Sequence, residues 1–225
     1  MAPDEGLAGL TEYPVNLILT GRRCLVVGGG SVAERKAESL LAAGADVTVI
    51  SPELTAKLSA WAEQGRIRHV ARQYRSGDAV GYLLVLCATD CAAVNEQAAR
   101  EARQSGALVN VADTPELCDF TLPARLQRGS LSVAVSTGGQ SPALARELRN
   151  ELAGQLGPEY AEYLELAGRL RREWRESCAS SDERCRRWDG LKGFDPEVLE
   201  LLRQGRKEEA EVRFRHGIGC PGTQP

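Results

Sequence analysis

The sequence predicts an α/β fold: a parallel sheet between layers of helix, followed by a short β-plus-helix segment and a helical C-terminal region. Three observations carry this reading. Apolar, β-branched runs alternate with stretches of helical periodicity from residue 24 to residue 113. The run "YLLVLCATD" at 82–90 is nearly all apolar, as a strand covered on both faces should be. After residue 113 the alternation stops. Two strand-like runs then follow one another without a helix, and beyond residue 157 the chain is charged and helical.

Taken in order, residues 24–27 (Cys-Leu-Val-Val) read as a buried strand. Residues 31–43 read as a helix in which Val32, Leu40 and Leu41 share a face, Glu34, Arg35 and Lys36 point to water, and Gly44 closes the end. "ADVTVIS" at 45–51 is a second strand. "PELTAKLSAWAEQG" is a helix opened by Pro52 and closed by Gly65. "IRHVARQY" and "YLLVLCATD" are the third and fourth strands, "CAAVNEQAAREARQSG" a helix ending at Gly106, and "ALVNVAD" (107–113) the fifth strand. "CDFTLPARLQRGSLSVAVSTGG" reads as two strands joined by a polar turn at 127–129. A helix then starts at Ser141 as N-cap with Pro142 behind it, and Asp195-Pro196 makes another good start. The last residues, "GIGCPGTQP", read as a frayed tail.

The 225 residues suffice for a sizeable core. A net charge of -3 gives no overall pull toward nucleic acid or an anionic membrane. No apolar run approaches the ~20 residues that span a bilayer. The acidic opening "MAPDEGLAGLTEYPVN" lacks a signal peptide's basic start and apolar core, so a cytoplasmic protein is expected. Seven cysteines without a CxxC pair, scattered through strands and helices, read as small buried hydrophobes and a few exposed thiols, with no metal site.

The stretch Gly28-Gly29-Gly30-Ser31-Val32-Ala33 fits G-x-G-x-x-[GA], follows a strand and opens a helix, which is the context a dinucleotide fingerprint requires. Gly28 makes the tight turn, Gly30 lets the backbone approach a pyrophosphate, and N–H groups around Ser31 and Val32 face the phosphates. The alternative is a tight strand–helix turn with no ligand. An acidic residue after the second strand would take the ribose. Asp46 sits at the wrong end of that strand, so Ser51 or Glu53, flanking Pro52, must serve. No arginine stands there for a 2′-phosphate, which favours NAD. Thr89 and Asp90 end the fourth strand on the same edge and can line the cleft, and Asp90 can equally cap the next helix.

Asp113 ends the fifth strand on that edge, where a proton acceptor is useful, or else it caps the turn before Thr114-Pro115. The chain has two histidines, His69 and His216, with no motif around either. His69 reads as a strand side chain. In "VSTGGQSPALARELR", the residues Ser136, Thr137, Gly138, Gly139 and Ser141 form a hydroxyl-rich loop before a helix N-terminus. Arg146 and Arg149 can share a face of that helix, so the segment suits a polycarboxylate substrate, or is simply a hairpin exit with a capped helix.

Four stretches, "CLVVGGGSVAERKAESLLAAGADVTVISPEL", "CATDCAAVNEQ", "VNVADTPELCDFTLPA" and "LSVAVSTGGQSPALARELR", stand in this order and spacing. Together they resemble the precorrin-2 dehydrogenase family, the N-terminal module of siroheme synthases, from residue 13 to residue 174. The resemblance implies a Rossmann domain (1–115), a dimerisation segment (116–150) and a helical C-terminal domain (151–225). It implies NAD-dependent oxidation of precorrin-2 to sirohydrochlorin in a homodimer, with insertion of ferrous iron into sirohydrochlorin as a second activity of some members. It places the family's important aspartate on Asp113, and NAD contacts on Ser31, Val32, Pro52 and Glu53. Thr137 stands where fused members carry a phosphorylatable serine. A third reading is an NAD(H)-sensing module without chemistry, but such sensors usually carry a DNA-binding element, and no helix-turn-helix signature or basic recognition helix is present.

Overall fold

The computed structural model describes residues 12–177 and 194–217. Residues 178–193 of the "SCASSDERCRRWDGLKGF" stretch, the tail from 218 and residues 1–11 lie outside the described residues. The described residues form two compact units: residues 13–122, and those from 123 onward together with Glu12.

In the first unit the elements alternate as β1 (Arg23–Val27), α1 (Ser31–Ala42), β2 (Asp46–Ile50), α2 (Ala56–Glu63), β3 (Arg68–Val70), β4 (Leu84–Cys87), α3 (Ala92–Gln104) and β5 (Leu108–Val111). The five strands run parallel in the order β3-β2-β1-β4-β5. Sheet order therefore reverses at β1, between its neighbours β2 and β4, the switch point at which open α/β sheets bind ligands. Register brings the carboxyl ends level: Val27 faces Ile50 and Cys87, and Cys87 faces Val111.

Side chains alternate across the sheet with period two. Cys24, Val26, Val47, Val49, Leu84 and Leu86 face α1 and α2, meeting Ala33, Ala37, Leu40, Leu58 and Trp61. Leu25, Val27, Ile50, Val85, Cys87, Val109 and Val111 face α3 through Ala98, Ala99 and Ala102. Leu25, Leu58 and Leu86 are fully buried, each stabilising the unit by roughly 2 kcal/mol. Burial pushes the Cys24 thiol up to about 11 and the Cys87 thiol up to about 12, so both behave as small protonated hydrophobes.

Three local expectations are corrected. Helix α2 does not open at Pro52. Thr55 caps it, its Oγ1 accepting from Leu58 N at 3.2 Å, which leaves Pro52 and Glu53 in the preceding loop. The third strand is only Arg68–Val70, because the segment after it folds against α3, where Tyr74, Ser76 and Gly77 donate to the Glu101 carboxylate. Lys36 does not point to water: it is 9% exposed, on the inward face with Ala33, Ala37 and Leu40.

In the second unit β6 (Ala124–Arg128) and β7 (Leu131–Val135) pair antiparallel, followed by α4 (Pro142–Gln155), α5 (Glu159–Ser177), α6 (Pro196–Arg203) and α7 (Lys207–Gly217). Gly129 turns the hairpin at φ +55, and a Cβ there would meet Ala161 Cβ at 2.9 Å. The last three helices share a core of Tyr163, Leu166, Leu170, Trp174, Val198, Leu199, Leu202 and Phe214. Ion pairs tie them further, Arg203 to Glu159 and Arg215 to Glu173, both at 2.8 Å.

Candidate functional site

The level strand ends bring four of the sequence-predicted groups to one edge of the first unit: the glycine turn after β1, Ser51 to Glu53 after β2, Thr89 and Asp90 after β4, and Asp113 after β5. The three glycines do different things. Gly28 has φ +122, and a Cβ there would lie 2.3 Å from Ala88 O, so β1 turns hard against the end of β4. A Cβ at Gly29 would lie 1.9 Å from Glu53 O and 2.7 Å from Ser51 Oγ. Gly29 thus lets the β1 turn close on the loop after β2, and Thr55 N donates to Gly29 O at 3.0 Å to seal that approach. At Gly30 a Cβ would meet nothing within 4 Å.

Gly30 is also the N-cap of α1, with no side-chain hydrogen bond to the first turn. The first N–H groups of α1 therefore have no intrahelical acceptor and no capping oxygen, and the space above Gly30 is open. An open cradle over a positive helix end fits a pyrophosphate. Ser31 is exposed and Val32 half-buried at this end. Ser51 is buried, while Pro52 and Glu53 are exposed. His69 is a strand side chain whose Nε2 lies 2.9 Å from Ser51 O and buttresses the loop.

At the end of β4 the expected helix cap is not Asp90, which is exposed. Cys91 occupies the N-cap, and Thr89 Oγ1 accepts from its N–H at 3.2 Å. Thr89 is locked by Asn95, a buried residue of α3: Thr89 Oγ1 donates to Asn95 Oδ1 at 2.8 Å, and Asn95 Nδ2 donates to Thr89 O at 2.9 Å. Sequence reasoning missed Asn95. The available signal was an amide on the inward stripe of a helix otherwise lined there by alanine.

Asp113 is exposed and holds φ +58, the one left-handed non-glycine residue among the described residues. Asp tolerates this region better than most side chains, at a cost of about 1–2 kcal/mol. Below it lies a polar pair that sequence reasoning also missed. Lys36 Nζ donates to Asn110 Oδ1, and Asn110 Nδ2 donates to Phe120 O at 2.9 Å. Burial pulls the Lys36 ammonium below its ordinary range, and the neighbouring Cys118, Cys87 and Asp113 oppose that pull.

The remaining predicted residues lie in the second unit. Ser136 Oγ accepts from Gly138 N at 3.2 Å and donates to Glu12, while Thr137 Oγ1 accepts from Ser141 N at 3.1 Å. Gly138 and Gly139 take positive φ. Ser141 caps α4, accepting from Leu144 N at 3.2 Å. The hydroxyls of this loop thus shape it. Arg146 is exposed. Arg149 is half-buried, and its Nε is a buried donor with no acceptor among the described residues.

Strand order, switch point and glycine turn define a Rossmann-type NAD(P)-binding unit. Residues 15–124 match a family model described as "Putative NAD(P)-binding", and residues 128–155 match one described as "Sirohaem biosynthesis protein central". In sequence and fold the chain resembles siroheme-synthase N-terminal modules and precorrin-2 dehydrogenases, as its four motifs implied. It is 42% identical over 198 residues to the siroheme synthase of Methylococcus capsulatus, covering 88% of this chain and 41% of that protein. It is 39% identical over 213 residues to the siroheme synthase of Methylobacillus flagellatus, covering 95% and 45%. The chain thus spans less than half the length of these relatives. The solved structure of SirC, a precorrin-2 dehydrogenase, superposes with a TM-score of 0.74 at 28% identity, covering 90% of this chain and all of that one. Among the described residues no helix is long and apolar enough to cross a membrane.

Proposed function

We propose that this chain oxidises precorrin-2 to sirohydrochlorin with NAD. The observation that carries the reading is that the uncapped α1 N-terminus and Asp113 both stand at level strand ends on one sheet edge. First-turn N–H groups at Ser31 and Val32 hold the pyrophosphate, with Gly28 and Gly30 shaping the turn. Ser51, Pro52 and Glu53 face the ribose, where the Glu53 carboxylate would accept from ribose hydroxyls and repel a 2′-phosphate. Thr89 and Asp90 line the neighbouring strand end. Bound there, the nicotinamide supplies a hydride acceptor. The Asp113 carboxylate oxygen takes the proton that must leave the macrocycle as the hydride departs, so atoms and charge balance. In the second unit Arg146, the unpaired Arg149 Nε and the loop of Ser136, Thr137, Gly138, Gly139 and Ser141 suit the substrate's carboxylates.

The relatives' name, siroheme synthase, favours a second activity. The same Asp113 carboxylate would take up pyrrole protons as ferrous iron, a substrate, enters sirohydrochlorin. Leu144 and Leu148, one turn apart on α4 and exposed, supply an apolar stripe that a second copy would cover in a homodimer.

The test is NADH absorbance during incubation with precorrin-2 and NAD, wild type beside Asp113→Asn. The wild type forms NADH, and the variant is slower by about 100-fold or more while binding NAD normally. An equal rate in the variant removes Asp113 from the chemistry. No NADH from either protein overturns the dehydrogenase reading, and iron insertion without NAD then isolates the second activity.

A further inference from the structure

Lys36 is the charged side chain that packing alone explains least. Its position on α1 faces the sheet among Ala33, Ala37 and Leu40, where a methionine or leucine would fill the space without desolvating an ammonium. Period two along β5 puts Asn110 on the same side of the sheet, opposite Val109 and Val111. The orientation of the Asn110 amide follows from its partners. Lys36 only donates and the Phe120 carbonyl only accepts, so Oδ1 must face Lys36 and Nδ2 must face Phe120. Asn110 is therefore a two-ended bridge between helix α1 and the far side of the loop that follows β5.

That loop is closed at its base by further bonds. Asp119 N donates to Val109 O at 2.8 Å, Val109 N donates to Asp119 Oδ2 at 2.9 Å, and Val111 N donates to Cys118 Sγ at 3.2 Å. The Cys118 thiol lies 3.3 Å from Val111 O and 3.4 Å from Thr114 O, sharing its one proton between these two carbonyls of the loop. Asp113 sits on this loop in its left-handed conformation. A residue held at positive φ keeps its place only when its surroundings over-determine it.

We infer that Lys36 is a positioning residue: through Asn110 its ammonium holds together the two arms of the loop that presents Asp113 at the carboxyl end of β5. The inference rests on the reading of Asp113 as the proton-accepting group. Lys36 touches neither substrate nor cofactor in this role. It acts on kcat by fixing where the Asp113 carboxylate stands.

The experiment compares Lys36→Met, Lys36→Arg and Asp113→Asn with the wild type in precorrin-2 oxidation, with NAD affinity and backbone amide exchange measured alongside. Lys36→Met is expected to lower kcat about 10- to 100-fold, with KM for precorrin-2 and Kd for NAD within about twofold. Exchange accelerates in residues 111–118 and not in β1 or β2. Lys36→Arg, which keeps a charged donor, recovers most of the rate. A wild-type kcat in Lys36→Met overturns the inference. So does a loss shared with NAD affinity and accompanied by faster exchange throughout residues 13–122, because that marks general unfolding. Should Lys36→Met not fold, Asn110→Asp carries the test. It keeps an acceptor for Lys36 but loses the donor to Phe120, and a wild-type kcat there overturns the proposal equally. If Asp113→Asn runs at the wild-type rate, the reading of Asp113 fails on its own account, and the local exchange data then decide the role of Lys36.

Discussion

Helices α1 and α6 begin in opposite ways. At α6, Asp195 Oδ1 accepts from Glu197 N at 2.9 Å and from Val198 N at 3.4 Å, and Asp195 Oδ2 pairs with Arg213 at 3.2 Å. At α1, Gly30 offers no side-chain oxygen, and nothing lies within 4 Å of where its Cβ would be. Giving a helix start a glycine in place of a capping side chain forgoes only about 0.3 kcal/mol. The chain forgoes it at the sheet's switch point, where an anion can supply the missing acceptors, and secures the cap in the helical unit, where the end serves only packing. A capped start holds structure; an open start beside a glycine cradle leaves N–H donors free for a ligand.

The comparison can be broken in three places. The largest effect is expected from Gly28→Ala. Its positive φ and the 2.3 Å approach to Ala88 O leave no room, and stability should fall by roughly 3 kcal/mol in urea unfolding. Wild-type stability in that variant would mean that β1 does not turn against β4. Next comes Asp195→Ala, which removes the cap and the Arg213 pair. It should lower unfolding stability by about 1–2 kcal/mol and leave NAD affinity alone. A change in NAD affinity would break the division between structural and ligand-holding helix starts. The smallest effect on folding belongs to Gly30→Ala, within about 0.5 kcal/mol of wild type, since its Cβ meets open space. NAD binding followed by fluorescence titration should nevertheless weaken about tenfold. Unchanged affinity would place the pyrophosphate elsewhere.

The strand–glycine–helix succession was legible because each signal is local. "CLVVGGG" is an apolar run meeting a turn, and Ser141-Pro142 and Asp195-Pro196 cap helices through bonds that span two or three residues. Pro52 misled because a favoured first-turn residue also suits a loop, and Thr55, three residues on, had the hydroxyl that closes the first turn. Lys36 misled because a lysine within a helical pattern is ordinarily solvated. The partner that keeps it inside is 74 residues away.

By itself the sequence determined the alternation of strands and helices, the glycine turn and its neighbours on one sheet edge, and the caps of α4 and α6, because these rest on periodicity and on hydrogen bonds between near neighbours. Tertiary structure decided which glycine packs and which stays open, since Gly29 is defined by Glu53 and Gly28 by Ala88. It also decided that Asn95 locks Thr89, that Lys36 is buried, and that Asn110 joins it to Phe120. Each of these depends on backbone that only the folded sheet brings within a few ångströms, and for polar groups that distance is the difference between a solvated side chain and a buried, directed one.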